Sequence, residues 1–197
     1  MAAEKEQTKE KIINVAYKLF IKQGYDNVTI NDICKTCGIV KSTFYYHLKS
    51  KEDIIADLFG NICELLYNNV ENLMNAENYW EQLWKCFEVI IKFSVDIGYD
   101  LNGQSLKINI NKDIGTYNIK ESLTRIAVPI IKRAQEAGEI RNQSPAEELY
   151  RASIFTIYGY DVMWCIKKGS FDKLDYTKRA LENIYDVAPE LRGKTSK

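Results

Sequence analysis

An all-helical architecture of about nine helices is the fold class that this 197-residue sequence predicts, and three observations predict it. Apolar residues recur with the 3.6-residue period of amphipathic helices along the whole chain, strand-like alternation is absent, and only three prolines interrupt the pattern. Hydrophobic residues make up 46% of the chain, which is enough to build a core and unlike a disordered composition. The elements group as a three-helix head over residues 1–50 and a larger helical body over residues 51–197, with a long helix joining the two.

The first helix covers Glu4 to Gln23, where Ile12, Ala16, Leu19 and Phe20 share one face and Gly24 stops the pattern. Thr29 followed by Asp32 has the form of a capping box, with Asp in place of the usual Glu. It opens a second helix whose Ile30, Ile33, Cys34 and Cys37 face inward. Gly38 supplies a tight turn, and a third helix runs from about Val40 to Leu48 with Phe44 and Leu48 stacked at i and i+4. Ser50 with Asp53 starts the joining helix, whose Ile54, Leu58, Ile62, Leu65, Leu66 and Leu73 continue for about six turns. Further helical patterns cover 79–98, 103–112, 117–137, 146–168 and 175–187, and Pro129 predicts a kink or a restart inside the third of these.

Two short helices joined by a glycine turn, the second with hydrogen-bonding side chains facing outward, form the design of a helix-turn-helix that enters the major groove of DNA. The outward residues of the third helix are Lys41, Ser42, Thr43, Tyr45, Tyr46 and His47, which offer donors for phosphates and base edges and aromatic surface for thymine methyls. No acidic residue occurs between Lys41 and Lys51. Net charge is zero overall, but residues 1–51 hold nine Lys against five Asp and Glu, so the head is the basic end.

The run TINDICKTCGIVKSTFYYHLKSKEDII, residues 29–55, resembles the head of the tetracycline-repressor (TetR) family. Such a head combines a Thr-capped helix, a small-residue turn, a Thr-hydrophobe-Tyr-x-His recognition helix and a following Lys-Glu. The resemblance implies that Thr43, Tyr45 and His47 contact DNA, that Lys51 meets a phosphate at the start of the fourth helix, and that Thr29 caps at the DNA surface. It also implies a homodimer on a palindromic operator in double-stranded DNA, with recognition helices about 34–36 Å apart. Repression, relieved by a small molecule, is the commoner behaviour in such proteins. The dimer surface is expected in the last two helices, where Ile154, Ile157, Tyr158, Trp164 and Cys165 form one stripe and Leu181, Ile184 and Tyr185 another. Val40 departs from the family pattern, because a valine has no oxygen to cap the recognition helix.

The body is rich in aromatic residues, and a core of that kind can either pack solidly or enclose a ligand. Trp84, Phe87, Tyr117, Tyr158 and Trp164 are the candidate lining residues for an apolar or aromatic effector. Asp161 lies in the middle of an apolar run, where an unpaired carboxylate would be costly to bury. It is expected either to pair with a Lys or Arg across the dimer or to meet a cationic or hydroxylated ligand.

Other chemistries find little support. The five cysteines are an odd number scattered through helices, which argues against a disulfide framework. Cys34 and Cys37 form a C-x-x-C, but one pair supplies only two of the usual four zinc ligands, and the sole histidine, His47, faces DNA. There is no Ser-His-Asp arrangement, glycine-rich phosphate loop or metal-binding cluster, so no enzyme, cofactor or metal is expected. The absence of a leader and of about 18 consecutive apolar residues predicts a cytoplasmic protein without membrane attachment. The alternative function is a DNA-binding regulator without a small-molecule effector, controlled by a protein partner or by thiol oxidation at Cys34 and Cys37.

Overall fold

The structure, a computed structural model, describes residues 2–60, 73 and 75–193, with side chains omitted at 2–4 and 60. Nine α-helices occur among the described residues: α1 Ala2–Gln23, α2 Ile30–Cys37, α3 Lys41–His47, α4 Lys51–Gly60, α5 Tyr79–Ile97, α6 Tyr99–Asn111, α7 Glu121–Glu136, α8 Ala146–Ile166 and α9 Lys173–Ile184. Single 3-10 turns occur at Tyr25–Asn27 and Pro189–Leu191. The expected continuation of the joining helix through Ile62, Leu65 and Leu66 lies outside the described residues. The helices divide into two compact units, one containing α1–α4 and α6, the other α5 and α7–α9. The head expected over residues 1–50 falls whole within the first unit, which also takes in α4 and α6.

The first unit is built around one apolar cluster. Ile12, Ala16 and Phe20 of α1, Ile33, Cys34 and Cys37 of α2, Phe44 of α3, Leu48, and Ile54 and Ile55 of α4 are all buried. The expected capping box is present: the Asp32 N–H donates to Thr29 Oγ1 at 3.2 Å and the Thr29 N–H donates to the Asp32 carboxylate at 2.9 Å. At its other end, α2 turns on Gly38, whose φ of 69° is accessible to glycine at little cost. The Ile39 N–H then donates back to the Cys34 carbonyl at 3.0 Å. The next helix, α4, opens with the Asp53 N–H donating to Ser50 Oγ at 3.3 Å while the Asp53 carboxylate accepts from the Lys49 N–H at 2.6 Å.

In the second unit, α8 packs against both α7 and α9. Its core includes Trp80, Leu83, Phe87 and Ile91 from α5, Ile131 and Ala134 from α7, Leu149, Ile154 and Ile157 from α8, and Leu181 and Tyr185 at the end of the chain's last helix. The α7 helix runs unbroken through Pro129. Pro129 and Arg125 are both exposed, so the helical hydrogen bond that Pro129 cannot make is missing on the solvent side of the helix. An isolated antiparallel bridge between Ile140 and Val187 ties the loop before α8 to the segment after α9. None of the described helices is long and apolar enough to cross a membrane.

Phe44 is fully buried, so Phe44→Ala should cost about 3–5 kcal/mol in chemical denaturation of the purified protein. The Thr29 hydroxyl, followed by the Thr29 backbone N–H, holds the Asp32 carboxyl below its ordinary value. A carboxyl lowered by folding stabilises the fold above its unfolded pKa, and that contribution is lost as the pH falls through the lower folded value. A carbonyl-carbon NMR titration should therefore place the Asp32 midpoint below the ordinary Asp value of about 3.9, and Thr29→Ala should move it back up.

Candidate nucleic-acid interface

The surface of α3 follows from what its apolar residues do. Phe44 and Leu48 point into the head, which leaves Lys41, Ser42, Tyr45 and Tyr46 exposed and Thr43 and His47 half-buried. Tyr46 is 67% exposed and Tyr45 52%, values that suit side chains awaiting a partner surface. The Lys5 ammonium from α1 lies 4.5 Å from the centre of the Tyr46 ring, and that ring stands edge-on to His47 at 5.1 Å. Tyr45 packs edge-on against Phe44 at 5.5 Å. Six of the eight side chains that the sequence assigns to DNA therefore lie together on one short helix, with its polar face outward.

The helix begins as the Val40 departure foretold. Val40 is extended, with φ −90° and ψ 157°, and makes no side-chain cap. Only its carbonyl is used at the start of the helix, accepting from the Thr43 N–H at 3.0 Å and from the Phe44 N–H at 3.3 Å.

Two other candidates sit differently from a free DNA contact. The Thr29 hydroxyl is bonded to the Asp32 carboxylate at 2.5 Å within the capping box. Lys51 reaches back into its own unit, where its ammonium donates to the Tyr25 and Val28 carbonyls, each at 2.8 Å, and lies 4.0 Å from the centre of the Tyr25 ring. Two of its three N–H groups are thereby engaged, leaving one for a phosphate. Lys11 does similar work, donating to the Cys37 carbonyl at 3.1 Å and tying α1 to the end of α2. Neither contact could be read from sequence, because the partners are backbone carbonyls more than 20 residues away with no side-chain signature.

Cys34 and Cys37 are both buried. Burial pushes the Cys37 thiol up, the reverse of what a reactive thiolate needs.

In the body, Asp161 is paired within its own chain, where a partner across the dimer or a ligand was expected: the buried ammonium of Lys173 donates to Asp161 Oδ1 at 2.6 Å. Ser94 of α5 completes the cluster: its hydroxyl donates to the same carboxylate oxygen at 3.0 Å and accepts from Lys173 at 2.6 Å. The Lys173 ammonium also lies 4.5 Å from the centre of the Trp164 ring, and the Trp164 indole N–H donates to the Phe171 carbonyl at 3.2 Å. The sequence pattern started the last helix at 175, whereas α9 begins two residues earlier, capped by Asp172, and this brings Lys173 over α8.

Among the candidate effector residues, Trp84, Phe87 and Trp164 are buried, while Tyr117 and Tyr158 are half-buried and meet edge-to-face at 5.2 Å. Burial, with the Asp161 charge adding, pushes the Tyr158 phenol up to about 12. A cavity lined by Phe87, Cys86, Ile90, Leu123, Ile126, Ala127 and Tyr150 measures only about 10 Å³, room for one water at most.

The expected dimer surface also needs correction. Ile154, Ile157, Leu181 and Tyr185 belong to the core of their own body, so they are not available to a partner. Ile184 and Cys165 are half-buried, and burial pushes the Cys165 thiol up to about 11. A second stripe on α8 faces outward instead: Ala152, Phe155, Gly159, Val162, Met163 and Ile166, among which Phe155 is 59% exposed and Ile166 63%. An apolar run with two helical stripes does not reveal from sequence which stripe is turned inward.

A helix-turn-helix with an exposed polar recognition helix, followed by a helical body, defines the class of a DNA-binding regulator. Residues 12–58 match the family described as bacterial regulatory proteins, tetR family. The chain is 33% identical over 81 residues to the biofilm operon icaADBC HTH-type negative transcriptional regulator IcaR of Staphylococcus epidermidis, a match covering 39% of this chain and 44% of that protein. It is 34% identical over 89 residues to the regulator of the same name in Staphylococcus aureus, covering 45% and 47%. The chain thus spans less than half the length of the curated relatives it matches.

Solved structures extend the likeness in fold to nearly the whole chain. Thermus thermophilus FadR, a TetR-family transcriptional repressor in complex with lauroyl-CoA, aligns over 95% of this chain and 100% of its own with a TM-score of 0.67 and 19% identity. RolR in complex with resorcinol aligns over 100% of both chains with a TM-score of 0.63 and 15% identity.

Breaking the buried pair should be far worse than replacing it. Asp161→Ala leaves the Lys173 charge unpaired and is expected to cost about 3–5 kcal/mol in denaturant unfolding, whereas Asp161→Leu with Lys173→Met should be near neutral or stabilising.

Proposed function

We propose that this protein is a homodimeric transcriptional repressor that reads a palindromic operator with α3 and releases it when a small molecule binds the body. The observation that carries the reading is the outward face of α3, where Lys41, Ser42, Thr43, Tyr45, Tyr46 and His47 stand free of acidic neighbours from residue 41 to residue 51 while Phe44 and Leu48 anchor the helix. Such a face suits the major groove, with Lys41 and the hydroxyls for phosphates and base edges and the two tyrosines for aromatic contact. Repression is supported by the relatives described as negative transcriptional regulators.

The outward stripe of α8 supports self-association. Phe155, Val162, Met163 and Ile166 form an apolar patch, and exposed Gly159 lets a second helix approach closely. On the proposed dimer the two α3 helices meet successive major grooves about 34–36 Å apart.

Effector release is supported by the fold neighbours solved with lauroyl-CoA and resorcinol. Trp84, Phe87 and Trp164 are packed as core residues, so the half-buried Tyr117 and Tyr158 are the more accessible aromatic candidates for lining a site for an apolar or phenolic ligand. A ligand that prefers a body holding its heads at another spacing would shift the population away from the DNA-competent state, by no more than its differential affinity. Control through Cys34 and Cys37 is not favoured, because both thiols are buried.

Selection from a random duplex pool by the purified full chain should enrich a palindrome, with affinity falling steeply as salt rises. Failure of the folded protein to enrich any sequence at moderate salt would refute the reading. Phe155→Glu with Met163→Glu should convert a dimer to a monomer in sedimentation analysis and weaken operator binding at least about tenfold; an unchanged dimer would place the interface elsewhere.

A further inference from the structure

His47 differs from its neighbours on α3 in one respect: its Nδ1 is buried and has no hydrogen-bond partner among the described residues. The ring as a whole is only half-buried, so its remaining nitrogen, Nε2, is the polar edge turned to the outside of the helix. The ring is held in that orientation by its edge-on contact with Tyr46 at 5.1 Å, and Lys5 covers the Tyr46 ring at 4.5 Å.

A neutral imidazole carries one N–H and one bare nitrogen, and the surroundings of the two nitrogens decide which is which. A proton on Nδ1 would bury an N–H donor with no acceptor, the kind of orphan that folded proteins almost never tolerate. A proton on Nε2 leaves only an unused lone pair inside and places the donor where it can be used. We propose that His47 is held as the Nε2–H tautomer and therefore meets DNA as a hydrogen-bond donor only, which makes it a specificity-determining residue of the recognition helix wherever its acceptor is a base edge. The inference rests on the DNA-binding reading above. Its targets are acceptors: a phosphate oxygen, guanine O6 or N7, adenine N7, or thymine O4. The amino groups of adenine and cytosine are excluded, because Nε2 has no lone pair left to accept from them.

His47 is the sole histidine of the chain, so its ring nitrogens can be assigned without mutagenesis. The test is nitrogen-detected NMR of the protein labelled at histidine, at about pH 9, well above the ordinary histidine range, free and bound to a duplex selected from the random pool. The expected result is a protonated Nε2 and a bare Nδ1 in the free protein, with slower exchange of the Nε2 proton on the duplex. An Nδ1–H ring in the free protein would overturn the inference even where the operator is bound.

Two variants read the same point in affinity. A glutamine amide can reach the Nε2 position and donate there, whereas an asparagine amide reaches only the Nδ1 position. H47Q should therefore keep most of the affinity, and H47N should lose about tenfold or more. Equal loss in both, from folded dimers, would overturn the donor role. Replacing single phosphates by methylphosphonate, and single purines by their 7-deaza forms, should abolish the difference between H47Q and H47N at one position. A methylphosphonate effect identifies a phosphate as the acceptor, and a 7-deaza effect a base edge. Abolition only on removal of an adenine or cytosine amino group would overturn the proposal. An Nε2–H ring in a protein that selects no duplex would overturn its DNA-reading half together with the function it rests on.

Discussion

The recognition surface depends on the burial of Phe44 and Leu48. The α3 helix has only seven residues and no side-chain cap, so it has neither the length nor the terminal hydrogen bonds to persist by itself. Burial of these two side chains where α3 packs against α1 and α2 holds it in place. The polar face is what remains once the apolar face is buried. The long basic side chains of α1 and α4 reinforce the arrangement. Lys51 joins α4 to the Tyr25–Asn27 turn, Lys11 joins α1 to the end of α2, and Lys9 pairs with Asp57 at 2.8 Å between α1 and α4. Several of the lysines that make the head basic are therefore also its fasteners, which is why positive charge alone is a poor guide to which of them meets DNA.

The body solves a different problem. Its α8 helix is apolar on two sides, one packed against α7 and α9 and the other left outside. A continuous apolar helix has no strong preference for which side goes in. The Asp161–Lys173–Ser94 cluster supplies one, because a carboxylate and an ammonium buried so close together can exist only in the register that brings them into contact. With that register set, Ile154 and Ile157 point to the core and Phe155, Val162, Met163 and Ile166 point out. The buried pair thereby selects the surface that the proposed dimer uses.

The contrast between the two DNA-side lysine and histidine candidates is instructive. The family resemblance places Lys51 at a phosphate, yet most of its donors are used inside the head. The outward face of α3 and the same resemblance place His47 at DNA, and the burial of its Nδ1 narrows what its remaining nitrogen can do. In each case the role turns on atoms contributed by other parts of the fold.

The approximate positions of the described helices, the capping box of Thr29 with Asp32, the Gly38 turn, the uncapped start at Val40 and the polar face of α3 were legible in the sequence, whereas α7 runs unbroken through Pro129, where a kink or a restart was expected. These features depend on residues within one or two turns of each other, where spacing and side-chain chemistry are enough. The partner of Asp161, the anchoring of Lys51, the solid packing of Trp84, Phe87 and Trp164, and the inward stripe of α8 were not legible. Each is a contact between residues far apart in the chain, such as Ser94 with Lys173, 79 positions away, and a one-dimensional pattern carries no record of which distant partner fills a site. The sequence by itself determined which segments are helical and which residues share a face; the tertiary structure alone decided which face is covered and by what, because burial is a property of the packed whole.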